Sequence, residues 1–486
     1  MAGITETYAV NKVHFPNKIA IQTPTEQINY QTWYELVCKT ANWLDSLHVT
    51  RKTIGILLPN GIPFLQLFAG ASMAGWIAVP FDPKWTEGEL QKRLSLSRPS
   101  VFVTVNEVFQ QVSHIDSSMI IWDNCLAKIN QFPVERAQLF VGNLPFYMGF
   151  TSGTTGEPKG FIRSQASWTA SFDCNQVDFQ ISNQDIALIP GSLIYSHFLY
   201  GAISTLYLGG TVFLLEKFSP LQTLDIIETQ PITVVYLVPT MIAALLAENH
   251  ITDKPVKFLS SGAKWEEHSK KQIRKLFPNL SMYEFYGASE LSFVTVSSDH
   301  DSYQKPGSVG KPCHNVEIQI RLADSVLAKP NETGKIYVKS DMVFIGYLTD
   351  ESIQSIEDEN GWVTVHDMGY IDDDGFLYIK GREKNMILYG GINVFPEEIE
   401  KVLSTHPDVE EAAVIGLYDS YWGQIVTAVV KGTASRLDLK RVCRQNLASY
   451  KVPRKWVFVE ELPYTSSGKI ARAKLKELIE SKVESH

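Results

Sequence analysis

Cysteine is scarce in this chain, and no two cysteines lie close in sequence. The five present (Cys38, Cys125, Cys174, Cys313 and Cys443) include no Cys-x-x-Cys pair, so a zinc ribbon or thioredoxin-like motif is unsupported. An odd, sparse complement in a chain of 486 residues fits a reducing compartment with buried thiols. Long apolar runs are also missing. The most apolar stretch, Gly61 to Phe81, is interrupted by Pro63, Gln66, Gly70, Gly75 and Pro80. It reads as a buried helix running into a strand, not as a membrane span. The opening MAGITETYAVNKV has no basic region followed by an apolar core, so no signal peptide and a cytoplasmic location are expected. No Lys/Arg run is present and the net charge is −9, which removes the electrostatic footprint of a nucleic-acid binder. An anionic small molecule stays open as a ligand, because local backbone dipoles override net charge. No repeat or low-complexity segment occurs, and 44% hydrophobic with 20% charged residues is a globular composition.

What is present is an alternation. Thr53–Pro59, Trp76–Phe81, Val101–Val105, Ile232–Val238 and Lys257–Ser260 are β-branched-rich runs of strand length. Helical patterns at 63–74, 87–96, 240–248 and 266–276 lie among them. Continuous apolar strands alternating with helices predict parallel sheets covered on both faces. From Ser308 to Lys380 the strands become closely spaced, with turn signals at Asn331–Gly334 and Asp374–Gly375, predicting a β-rich subdomain. Beyond Gly381 a helix beginning at Pro396, strands at 411–415, 425–431 and 455–459, a helix near 437–449 and a Lys-rich terminal helix predict a separate domain. The expected fold is therefore α/β. A large N-terminal domain of layered sheets and helices would contain the β-rich subdomain and be followed by a small α+β C-terminal domain.

The most unusual segment is Tyr147–Gly160, YMGFTSGTTGEPKG. Gly153 and Gly156 free the backbone N–H groups to turn toward an anion, the hydroxyls add donors, and Lys159 supplies a mobile positive charge. This is chemistry suited to a polyphosphate. It is not a Walker A loop, because Lys159 follows Pro158 and precedes Gly160. TSGTTGEPKG resembles the phosphate-binding signature of the adenylate-forming superfamily of acyl-CoA synthetases, adenylation domains and luciferases. Four further elements follow in the family's order. Tyr286–Glu290 (YGASE) resembles its YGxTE, and Asp367 with Arg382 of Gly381-Arg382 resembles its ribose-binding pair. YGGINVFPEEIE (Tyr389–Glu400) and Gly468-Lys469 with Arg472 resemble its C-terminal segments.

The resemblance implies roles. Thr151, Ser152, Gly153, Thr154, Thr155 and Lys159 would hold the phosphates of ATP, and Glu290 would hold Mg2+. Ser261, Gly262, Ala263, Tyr286 and Gly287 would line the adenine, with Tyr286 stacking on it. Asp367 and Arg382 would take the ribose; the family's Thr-Gly-Asp is here Val365-His366-Asp367, so the turn before the carboxylate lacks its glycine. Lys469 would stabilise charge as the adenylate forms, making Lys469, Glu290 and Thr151 the expected catalytic set. The family's C-terminal domain turns about a residue matching Lys384 and brings a segment matching Gly390-Gly391 toward the thiol, which implies domains 1–382 and 383–486. Leu388 stands where many members carry lysine. Asp372-Asp373-Asp374-Gly375 fails the EF-hand pattern and reads as a solvated turn.

The acyl pocket would be formed by residues 195–201, 261–265 and 287–295, with His197, Gly262 and Gly287 facing the substrate. His197 reads either as a pocket histidine or as a packed core residue. No aspartate lies between Tyr195 and Leu208 to pair a substrate amine, which favours a fatty or aromatic acid. The implied activity is AMP-forming acyl-CoA synthesis from an acid, ATP and CoA. Loading of an acyl-carrier-protein phosphopantetheine arm, an aromatic-acid ligase and a nucleotide-binding regulator without turnover are the alternatives.

Overall fold

The helix predicted inside the apolar stretch spans Ile62–Met73, and every residue of it except Pro63 is buried. A helix apolar on all sides can only sit inside a layered core. It ends in a Schellman turn: Gly75 takes φ 70°, the Trp76 N–H donates to Ala71 O at 2.8 Å, and the Gly75 N–H donates to Ser72 O at 3.1 Å. The chain then enters the strand Ile77–Pro80. This computed structural model describes residues 3–116, 118–136, 144–152, 158–262, 267–322, 326–349, 352–389, 392–419, 421–465 and 469–484.

Two large sheets form the first unit, which comprises residues up to Thr151, Pro158–Ile318 and Val338–Val363. Among the described residues one sheet has nine strands and the other eight. In the nine-stranded sheet Ile19–Gln22, Thr211–Leu214, Ile186–Ile189, Val234–Leu237, Val256–Ser260 and Leu280–Ala288 run parallel, in that spatial order. Antiparallel strands close its edges. In the eight-stranded sheet Thr53–Leu57 lies parallel between Ile77–Pro80 and Val101–Thr104. The strands on either side of the glycine-rich loop, Pro145–Ser152 and Pro158–Ser164, extend that sheet, and Gly346–Leu348 pairs antiparallel with the second of them. The predicted parallel α/β core is what forms.

The closely spaced strands after Ser308 build a four-stranded sheet: Glu317–Arg321, Gly334–Lys339, Asp367–Ile371 and Leu377–Arg382. Most of it groups with the C-terminal residues, in a second unit that includes Gln319–Tyr337 and Thr364–His486. The rest of this unit is a sheet centred on Gly423–Gly432, flanked by Val409–Asp419 and, in parallel, Lys455–Phe458. Helices Pro396–Leu403 and Arg436–Asn446 cover an apolar cluster that includes Ile399, Leu403, Val426, Val430 and Leu439. Arg472, at the start of the terminal helix Arg472–Glu484, forks onto Glu400 with contacts of 2.5 and 2.6 Å and also donates to Val414 O at 2.8 Å. The PEEIE segment and the terminal helix are thus joined by a largely buried bidentate pair, the geometry that arginine supplies and lysine cannot.

Candidate active site

Strand register alone gathers many of the candidate residues. In the nine-stranded sheet Leu237 is opposite Ser260, and Ser260 is opposite Glu284. These three strands are parallel, so their carboxyl ends open on one edge, where α/β sheets bind ligands. Ser261 and Gly262 follow Ser260 at this edge, Gly262 at φ 92°. Tyr286 and Gly287 lie at the end of Leu280–Ala288, where the pairing with Ser292–Ser298 is bulged between them. A Cβ on Gly287 would run into the Ser292 carbonyl, so the hairpin itself requires glycine here. His197 opens the helix Ser196–Leu208, and its Nε2 bonds Leu237 O at 3.0 Å. Phe198, Tyr236 and Phe285 surround its ring at 5.0–5.6 Å. Burial pushes its pKa down to about 4, only partly offset by the Leu237 bond, so the imidazole is neutral at pH 7. Ala263 lies outside the described residues.

Glu290 sits at the tip of the hairpin between Ala288 and Ser292, a position where an exposed carboxylate is ordinary. It is instead only 8% exposed. Tyr347 donates its hydroxyl to Glu290 Oε1 at 2.6 Å, and the Phe344 N–H donates to Glu290 O at 2.8 Å. Beneath it lies Arg163, 1% exposed, whose guanidinium donates to Ser289 O at 2.9 Å and Met342 O at 2.6 Å. Burial lowers the Arg163 pKa to about 10, with Tyr147 and Glu290 opposing the shift, so its charge persists. Lys159 Nζ lies 5.3 Å from the Tyr347 ring centre. The structure therefore brings Lys159 and Glu290 both to Tyr347, a residue without a sequence signal of its own, one near its ring and the other at its hydroxyl. Thr151 and Ser152 are the last two residues of the strand Pro145–Ser152; Gly153, Thr154 and Thr155 lie outside the described residues.

In the second unit Asp367 and Arg382 are cross-strand partners, with Asp367 Oδ1 3.1 Å from Arg382 Nε. Asp367 is buried and Arg382 half-exposed. His366, at the family's glycine position, takes φ 64°, so the turn keeps its left-handed shape without glycine. Glu383 compensates: its backbone N–H donates to His366 O at 2.9 Å, and its carboxylate meets His366 Nδ1 and Lys335 Nζ, each at 2.9 Å. Burial alone would raise the Glu383 pKa, but the bonds from Lys335 and His366 outweigh it and the net shift is downward. Gly381 has φ 153°, and a Cβ there would meet the Glu397 carboxylate, so Gly381-Arg382 needs its glycine. Lys384 is exposed in the short turn Glu383–Asn385. Lys469, also exposed, closes a tight loop: Thr465 N donates to Lys469 O at 2.7 Å and Lys469 N to Thr465 Oγ1 at 3.2 Å. Gly390, Gly391 and Gly468 lie outside the described residues.

Residues 9–348 match the AMP-binding enzyme family, and residues 398–469 match the AMP-binding enzyme C-terminal domain. The chain is 50% identical to an uncharacterized acyl–CoA ligase of Bacillus subtilis over 481 residues, 99% of each chain. Two solved structures of o-succinylbenzoate coenzyme A synthetase from Bacillus subtilis are similar throughout. One, with ATP and a magnesium ion, superimposes with a TM-score of 0.88 at 28% identity, covering 96% of this chain and 98% of that one. The other, with an acyl-adenylate intermediate, gives 0.87 at 29%, covering 96% and 97%.

Two expectations follow from this geometry. Tyr347→Phe removes the hydroxyl that holds Glu290 and, on the expectation that this carboxylate binds Mg2+, should raise the KM for MgATP about ten-fold while leaving the fold intact, read by steady-state kinetics and circular dichroism. His197 is neutral in the native state down to about pH 4, whereas its unfolded form protonates at 6.5. The unfolded chain binds more protons between these values, so the stability that His197 contributes is complete above pH 6.5 and is lost toward pH 4, on the order of 3 kcal/mol. Denaturant midpoints at pH 7 and 4.5 should show a shallower loss in His197→Gln than in the wild type.

Proposed function

The chain belongs to the AMP-binding enzyme family, and on that premise we propose that it is an ATP-dependent acid–thiol ligase that adenylates a carboxylic acid and transfers the acyl group to CoA. The observation that carries this reading is the buried Glu290 carboxylate held by the Tyr347 hydroxyl, with Lys159, from the strand that follows the glycine-rich loop, near the Tyr347 ring. A carboxylate withdrawn from water beside a neutral phenol is a hard oxygen donor suited to Mg2+, which would neutralise phosphate charge when bound. Lys159, Thr151 and Ser152, with Gly153, Thr154 and Thr155, would hold the ATP phosphates. Ser261, Gly262, Ala263, Tyr286 and Gly287 would hold the base, and Asp367 with Arg382 the ribose.

A carboxylate resists attack by a thiol because its leaving group would be oxide. Displacement at the α-phosphate of ATP by the acid converts it to a mixed anhydride and releases pyrophosphate. The thiol then displaces AMP. Little covalent work falls to the protein, so positioning and charge stabilisation dominate. Lys469 supplies positive charge in the first step, from a loop short enough to fix its backbone. Lys384 is the proposed hinge between 1–382 and 383–486, where turning would withdraw Lys469 and admit the thiol.

The acid we assign is neutral and apolar along its acyl part, with a fatty acid as the leading candidate. Phe198, Tyr236 and Phe285 surround an uncharged His197, and none of the residues of helix Ser196–Leu208 is acidic or permanently basic. The aromatic rings gathered at His197 favour an aromatic acid as the second reading. A cytoplasmic location and CoA in preference to a carrier protein complete the proposal.

Pyrophosphate release measured across fatty and aromatic acids, followed by thioester detection with CoA or holo-carrier protein, tests the assignment. Saturable release with an apolar acid and an acyl-CoA product are expected; no release with any acid would turn the reading to a nucleotide-binding regulator. Lys469→Ala should reduce adenylate formation at least a hundred-fold while retaining thioester formation from preformed acyl-adenylate. Lys384→Pro should instead slow the coupled reaction. Equal loss of both half-reactions in Lys469→Ala would remove its assigned role.

A further inference from the structure

A second cluster of reactive side chains lies in the first unit, on the helix that follows the glycine-rich strand pair. Cys174 is in the last turn of Gln165–Val177, and Asp178 is its C-cap, so the two project from one helix face four residues apart. Cys313 directly follows the edge strand Lys311–Pro312. The two Sγ atoms and an Asp178 carboxylate oxygen all lie within 4.8 Å of one another, the one such group of His, Cys, Asp or Glu among the described residues. Both cysteines are buried. Asp178 is partly buried, and His314 beside it is exposed.

The surroundings are built around this grouping. His314 grips Asp178 twice, through its backbone N–H to Oδ1 at 3.3 Å and its Nδ1 to Oδ2 at 3.0 Å. Asn315 anchors the same loop to Ala170 O at 3.0 Å and accepts the Cys174 thiol at 3.3 Å. The Met342 thioether is 3.6 Å from Cys174 Sγ. A loop and a helix end more than 130 residues apart in sequence are thus held in register, and their two thiols and carboxylate converge.

We propose that Cys174, Cys313 and Asp178 form a binding site for Zn2+, with His314 orienting the carboxylate and water completing a tetrahedron. Tetrahedral Zn–S bonds of about 2.3 Å and Zn–O bonds of about 2.0–2.2 Å place ligand atoms about 3.4–3.8 Å apart. Ligand atoms already within 4.8 Å need only small side-chain rotations to reach that spacing. Two sulfur donors exclude Mg2+ and Ca2+ as preferred occupants, and the carboxylate oxygen disfavours Cu(I). Binding releases the two thiol protons to solvent and forms two Zn–S bonds and one Zn–O bond, with no change of oxidation state. The His314–Asp178 contact is the outer-shell hydrogen bond such ligands carry. The site would staple the end of helix Gln165–Val177 to the strand-edge loop, stabilising the unit by mass action and not by entering the reaction.

The full-length chain, purified without chelator, is assayed for zinc by elemental analysis and then titrated, as apoprotein, with Co2+. One equivalent of zinc and thiolate-to-cobalt charge-transfer absorption are expected in the wild type and in Cys125→Ser, which alters a buried cysteine elsewhere. Cys174→Ser and Cys313→Ser should each lose the absorption, and Asp178→Asn should weaken Co2+ binding about ten-fold. Chelator should lower the thermal midpoint of the wild type and not that of the double serine variant. Absence of charge-transfer absorption in the wild type would overturn the proposal, even where the serine variants fail to fold. So would unchanged cobalt binding in folded serine variants, or a wild type two mass units lighter from a Cys174–Cys313 disulfide.

Discussion

Burying the guanidinium of Arg163 is the constraint around which the first unit is organised. A charge removed from water needs acceptors, and the two terminal nitrogens of Arg163 find them in the carbonyls of Ser289, Met342 and, at 3.5 Å, Ser167. The first comes from the hairpin of Glu290, the second from the segment leading to Tyr347. The arginine itself extends from the strand that leaves the glycine-rich loop. Three stretches far apart in sequence are therefore obliged to meet, and the meeting brings Glu290 under the Tyr347 hydroxyl with Lys159 beside it. The same positive charge lies beneath a carboxylate otherwise costly to bury.

The second unit solves a different problem with similar means. Its Asp367–Arg382 pair is fixed by strand register, but the turn before Asp367 demands a left-handed residue. Histidine is one of the few side chains besides glycine that visits this region. The Glu383 carboxylate and backbone amide hold it there. The resemblance to other adenylate-forming enzymes left this turn unresolved; the structure keeps its shape and replaces glycine's conformational freedom with a hydrogen-bonded side chain.

Much of the architecture was legible from pattern. The buried helix Ile62–Met73 and the strand Ile77–Pro80 followed from apolar continuity broken at Gly75, and Pro396 began its helix as its fixed φ requires. The C-terminal strands and helices fell within a few residues of expectation. What pattern could not supply was pairing over distance. Tyr347 is unremarkable locally, Arg472 carried a motif resemblance but no hint of its partner, and Glu290 and Glu400 lie 57 and 72 residues away from them. Arg163 was not among the sequence candidates either: it shares the strand Pro158–Ser164 with Lys159, so a charge there does not by itself mark burial. The helix Tyr30–Asp45 was not among the expected ones, although Asn29 caps it by accepting the Thr32 N–H, a local signature that needs no distant partner.

Gly381 has an effect beyond its own backbone. Because it has no side chain, the Glu397 carboxylate can seat directly against the hairpin, and Asn385 holds the other oxygen of that carboxylate at 2.9 Å. The residues between, including Lys384, are thereby spanned by a small catch. Under the proposed hinge, turning about Lys384 would first lift Glu397 off Gly381. For that proposed motion the contact would be a detent, resisting small excursions while permitting release, set by one bare backbone position.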